Sequence, residues 1–191
     1  MLFRSNVKIV TLYAALKYLP DSIPSFDYYD TPDTLFILPQ GDPSLFDPYF
    51  HNQNTFNFLK NQHKPIVILP VKWETEIFGK GWAWDDYNSA SMPQKTPMPL
   101  HRKNNKNSIS GQQIRIPSLQ EVYDSIAQTL SDSVNVKVIA SKSQRSFIQK
   151  RQTWYAASRD SVCKKMMFES DNFIAEQLLL MTSNKIGRAH V

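Results

Sequence analysis

Cysteine is almost missing from this chain. Cys163 is alone among 191 residues, so no disulfide can close within it. Disulfide-free proteins are common on both sides of a membrane, and the lone thiol therefore leaves the compartment open. Its setting, Val162-Cys163-Lys164-Lys165-Met166-Met167-Phe168, reads as a packed helix residue rather than a nucleophile. No run of 18 apolar residues occurs, which excludes a membrane-spanning helix, and no leader peptide is recognisable at the start. Four scattered histidines, His51, His63, His101 and His190, show neither H-E-x-x-H nor Cys/His spacing, so neither a metal nor another cofactor is expected. Acidic residues are the minority charge: 22 Lys and Arg against 17 Asp and Glu give +5 and a pI near 9.2. That balance suits an anionic polymer or a membrane surface. Nucleic acid is not favoured, because the one dense basic stretch, His101-Arg102-Lys103-Asn104-Asn105-Lys106-Asn107, has no interleaved aromatic to stack on bases and reads as a solvated loop.

What is present is enough for a folded core. With 41% hydrophobic and 12% aromatic residues the composition is not that of a disordered chain, and the length allows one or two domains. Two short polar motifs stand against apolar helical runs: Ser5-Asn6-Val7-Lys8 near the start and Ser170-Asp171-Asn172 near the end. Residues three apart share a helix face, so the Lys8 amine can sit beside the Ser5 hydroxyl. A serine is a poor nucleophile at its own pKa and needs a base to take its proton as it attacks a carbonyl. Lys8 can be that base if burial and nearby positive charge keep it neutral part of the time. The following run, Ile9 to Leu19, is apolar almost all round and ends at Pro20, the pattern of a helix buried inside a domain; a serine at its N-terminus also feels the positive end of the helix dipole. Either motif alone is weak, since a serine before a helix is commonly an N-cap. Their order carries more: together they match S-x-x-K and S-D-N, two of the three motifs of penicillin-interacting serine enzymes.

A wider resemblance covers nearly the whole chain. Ser5 to Lys17, Gly41-Asp42-Pro43-Ser44-Leu45, Gly81-Trp82-Ala83-Trp84-Asp85-Asp86-Tyr87 and Ser170 to Leu179 resemble, in that order, segments of the D-alanyl-D-alanine carboxypeptidase/endopeptidase family, the low-molecular-mass class C penicillin-binding proteins. The resemblance implies an α/β (α+β) fold of the penicillin-binding-protein/β-lactamase type. It also implies an acyl-enzyme reaction on peptidoglycan stem peptides, β-lactams as ligands, and a periplasmic setting. By the same match Ser5 is the nucleophile, Lys8 its base, Ser170 a proton relay to the leaving group and Asn172 a hydrogen-bond partner of the substrate amide, while Asp171 orients the loop. A β-lactamase or esterase using the same nucleophile, and a non-catalytic peptidoglycan- or β-lactam-binding module, are the competing readings.

Two departures stand out. Phe3-Arg4 replaces the Pro-Ala pair usual before the first motif, and no Lys-Thr-Gly follows Asn172, so the family's carboxylate-binding lysine is lacking. The final residues Ile186-Gly187-Arg188-Ala189-His190-Val191 read as a translated sequencing adapter. The expectation is a fragment truncated at both ends, inactive alone and poorly stable: residues 1–20 begin a catalytic domain, 21–144 form an inserted α/β region, 145–185 resume the catalytic domain, and 186–191 are the adapter-derived tail.

Local patterns fill in the insert. Thr34 to Leu38 and Pro65 to Leu69 are β-rich runs bounded by prolines and turns. Ser118-Leu119-Gln120-Glu121 is a capping box opening a helix with Val122, Ile126 and Leu130 inward, and Val134 to Ile139 alternates as a half-buried strand. Tyr87 to Pro99 reads as an extended loop, and the Trp82, Trp84, Asp85 and Asp86 block as structural rather than sugar- or metal-binding. Ser158 caps a helix with Val162, Met166 and Met167 inward. Ser170 to Asn172 then connects to a helix burying Phe173, Ile174, Leu178, Leu179 and Met181.

Overall fold

The computed structural model describes residues 2–71, 95–99, 119–134, 136–141 and 151–188, with side chains throughout except at 2–6, 119 and 188. The Trp82 to Asp86 block, the His101 to Asn107 stretch and the Ser118 cap lie outside the described residues.

Helix α1 (Leu2–Tyr18) opens the chain, and Leu19 N–H still bonds Ala15 O at 2.9 Å before Pro20 ends the run. The helix is not buried all round, although its sequence is apolar on almost every side. Lys8, Thr11 and Ala15 are buried, whereas Val10 is 63% and Tyr13 64% exposed. Among the described residues only one side of α1 is covered, by the two helices that end the chain. Apolar composition says that a helix prefers cover, not that both faces receive it.

The chain then enters a five-stranded sheet in the order β4-β3-β2-β1-β5. Strand β1 (Ser22–Asp30) lies between β2 (Leu35–Pro39) and β5 (Gln152–Ser158), antiparallel to both. Pro24 has no N–H to give the ladder, and the β1–β5 register shifts on either side of it, where an irregularity accommodates the missing donor. Strands β3 (Ile66–Ile68) and β4 (Val138–Ala140) add in parallel on the far side of β2. Parallel neighbours need crossovers; α2 (Gln53–Lys60) lies between β2 and β3 in the chain, and α3 (Leu119–Val134) precedes β4. Alternation in β2 turns Leu35 and Ile37 inward, where they meet Val122, Ile126 and Leu130 of α3 in one core. Val134 belongs to the end of this helix, and the strand expected from Val134 starts only at Val138. An alternating pattern of six residues is too short to tell a helix end from a strand until the partner strand is known.

A second core joins α1 to α4 (Arg159–Phe168) and α5 (Asn172–Arg188) through Ala15, Leu19, Val162, Met166, Phe173 and Leu178. Ser158 caps α4 as expected, its hydroxyl accepting from Ser161 N–H. Two residues assigned inward are not: Met167 is 39% and Leu179 41% exposed. Strand β5 connects the two cores. Trp154 stacks on Phe58 of α2 at 4.1 Å and donates its indole N–H to Thr55 at 3.0 Å, while the next element, α4, belongs to the helical core.

Candidate active site

The site is built from one turn of α1 and the connection between α4 and α5. That connection is tightly specified. Asp171 N–H bonds Met166 O at 2.9 Å, the closing bond of a Schellman motif, and Ser170 takes the left-handed position with φ 52°. Glycine is the usual occupant there, and a serine accepts about 1 kcal/mol of strain. Asp171 is buried and accepts from Ile174 N–H at 3.1 Å, capping the first turn of α5. Strain held between two satisfied helix ends is a mark of a positioned side chain.

That side chain meets α1. Lys8, 4% exposed, donates from Nζ to Ser170 Oγ at 2.9 Å across 162 positions of sequence. Ser5 lies one turn earlier on the same helix; the role assigned to its hydroxyl concerns a side chain outside those described. Asn172, the first residue of α5, is half-buried and shares with Lys8 the lining of a cavity of about 180 Å³. Val7, Thr11, Ala175, Glu176 and Leu179 also line it. Of the residues singled out from the sequence, the fold brings Lys8, Ser170 and Asn172 together, with Asp171 as the cap beneath them. Thr11 and Glu176 carried no role in the sequence reading. Their signal was spacing alone: Thr11 is three residues after Lys8 and Glu176 four after Asn172, each one turn along the same face.

A buried clamp holds α4 in place below the turn. Lys165 Nζ bonds Asp47 Oδ2 at 2.8 Å, with the two side chains 9% and 5% exposed, and lies 4.8 Å from the Tyr49 ring centroid. Asp47 also receives Tyr49 N–H at 3.0 Å. The preceding Gly41-Asp42-Pro43-Ser44-Leu45 segment needs its glycine, since Gly41 has φ 96°. Burial pushes the Asp42 carboxyl up to about 6, opposed by the hydroxyls of Ser44 and Ser25 and by Ser44 N–H. Gly41 N–H bonds Pro97 O at 2.6 Å and the Gln177 amide donates to Thr96 O at 3.0 Å, so residues 95–99 tie this loop to α5. Cys163 is buried, and desolvation raises its thiol to about 11, with Arg159 pulling down and Asp160 adding to the rise; it stays protonated and is part of the core. Among the described residues no group of His, Cys, Asp and Glu is disposed to hold a metal ion, and no helix is long and apolar enough to cross a membrane.

With α1 packed on a helix pair and a mixed sheet intervening in sequence, the chain has a penicillin-binding-protein/β-lactamase-like fold. The chain is similar in structure to penicillin binding protein 4 (dacB) from Haemophilus influenzae, with a TM-score of 0.62 and 16% sequence identity over 96% of this chain. It spans 57% of the length of that protein. No family model matches the chain. No curated protein matches it either.

Proposed function

We propose that this chain is part of a serine-type D-Ala-D-Ala carboxypeptidase/endopeptidase that acts on peptidoglycan stem peptides outside the cytoplasm. Residues 1–20 and 145–185 contribute the catalytic domain and 21–144 an insertion. The observation that carries the reading is the 2.9 Å bond from Lys8 Nζ to Ser170 Oγ, which joins the two motifs. In the proposed reaction Ser5 Oγ attacks the carbonyl of the penultimate residue as Lys8 takes its proton. The C–N bond to the terminal D-Ala breaks, and a proton reaches the departing amine through Ser170. Water then attacks the ester, the base again removing a proton, and the shortened peptide leaves with Ser5 restored. Asn172 holds the substrate amide, and Asp171 keeps the turn rigid. A base positioned in this way contributes roughly 10²- to 10⁴-fold. The carboxylate-binding lysine of the third motif is not supplied by these residues, so the full activity is proposed for a protein carrying the whole fold.

A fluorescent penicillin tests the proposal. Covalent labelling of the complete gene product that disappears in Ser5→Ala supports the nucleophile. Rapid release of the label favours a β-lactamase or esterase, and absence of any covalent label favours a binding module.

A further inference from the structure

Among the described residues that line the cavity beside Lys8, one is an acid and one a base, Glu176 and Lys8. We infer that Glu176 is a positioning residue: its carboxylate is the counter-charge for the lysinium formed when Lys8 accepts a proton. This rests on the reading of Lys8 as the base of Ser5. A lysine that is 4% exposed becomes costly to charge when it takes a proton away from water. A carboxylate on the facing helix offsets that cost as the charge appears, in the way the buried aspartate of a Ser-His-Asp triad stabilises the imidazolium.

Arg4 is one turn before Lys8 in sequence and Lys17 more than two turns after it. Lys95, half-buried, stands in the segment that Gln177 of α5 bonds through Thr96 O. On α4, Lys165 bonds Asp47, with Glu169 at 3.6 Å. Arg159 bonds Leu19 O and pairs with Asp21 and Asp160, and Lys164 is exposed. In the turn, Asp171 caps Ile174. On α5 the next charge after Glu176 is Lys185, more than two turns on. Glu176 is one turn from Asn172, so the helix that carries the substrate-amide ligand also carries the counter-charge.

The test is the titration of Lys8, read from its side-chain ¹³Cε and ¹⁵Nζ signals, in the complete gene product and in its Glu176→Gln variant. The expected result is a Lys8 midpoint lower by about one pH unit in the variant, with the acid limb of fluorescent-penicillin labelling shifted to lower pH by the same amount. A merely structural role leaves both where they were. A Lys8 midpoint that does not move in folded Glu176→Gln overturns the inference, whatever the labelling does. A midpoint that moves in a protein whose wild type takes no label supports the pairing and removes the acyl-enzyme reading instead. Should Glu176→Gln fail to fold, the reciprocal measurement decides: Lys8→Met must raise the Glu176 carboxyl midpoint, and an unchanged midpoint overturns the pairing.

Discussion

Replacing Asp42 by asparagine isolates a single buried proton. Asp42 is 2% exposed; its Oδ1 accepts from Ser44 N–H at 2.8 Å and from Ser44 Oγ at 2.6 Å. Burial raises the carboxyl from the ordinary 3.8 to about 6, so the folded chain binds this proton more tightly than the unfolded chain does. The contribution of the group is therefore fully present below pH 3.8 and is lost as the pH rises through about 6. Each pH unit between the two values is worth ~1.4 kcal/mol, so the loss is roughly 3 kcal/mol by neutral pH. Asparagine has the shape of the neutral acid and keeps the acceptor that Ser44 needs, but it does not titrate. The variant should match the wild type near pH 4 and exceed it by roughly 3 kcal/mol near pH 8. Urea unfolding followed by far-UV circular dichroism across that range measures the difference, with every other titrating group common to both proteins. A stability difference that stays constant with pH would refute the reasoning, since it would mean that Asp42 titrates alike in the two states.

Two further outcomes follow from the geometry around the turn. Ser170→Gly and Ser170→Ala both remove the hydroxyl that meets Lys8, but only glycine relieves the left-handed strain; Gly should be the more stable by about 1 kcal/mol in urea unfolding, and equal stabilities would mean that the turn is unstrained. Lys165→Met leaves Asp47 buried without its cation and should cost roughly 3–5 kcal/mol. Adding Asp47→Asn to Lys165→Met should recover much of that loss, and a double variant as unstable as the single one would show that packing, not charge, holds α4 to the loop.

Much of this molecule could be read from local pattern. The spacing of Val122, Ile126 and Leu130 marked α3, the β-rich runs around Ile37 and Val67 marked two strands, and Ser158 marked the start of α4. Each rests on a period of 3.6 or 2, or on a cap, and these are properties of a few consecutive residues. Strands β1 and β5 were less visible because β1 carries Pro24 within it, and α2 because its eight residues are mostly polar. Motif chemistry was also local: S-x-x-K puts its two ends on one face of any helix, and S-D-N reads as the short connection into the next helix.

What the sequence by itself determined is thus the set of helices and strands with clean periods, and that Ser5 and Lys8 stand one turn apart on one helix. Only the tertiary structure decided that, among the described residues, one side of α1 is left uncovered, that Ser170 turns into the left-handed region, and that Lys8 reaches it across 162 positions. It likewise set Glu176 in the cavity with Lys8 and closed the Lys165–Asp47 pair. The physical reason is range: a helix or strand period records which residues want cover, while the identity of the cover depends on groups a hundred or more residues away, whose approach is fixed by the packing of both cores together.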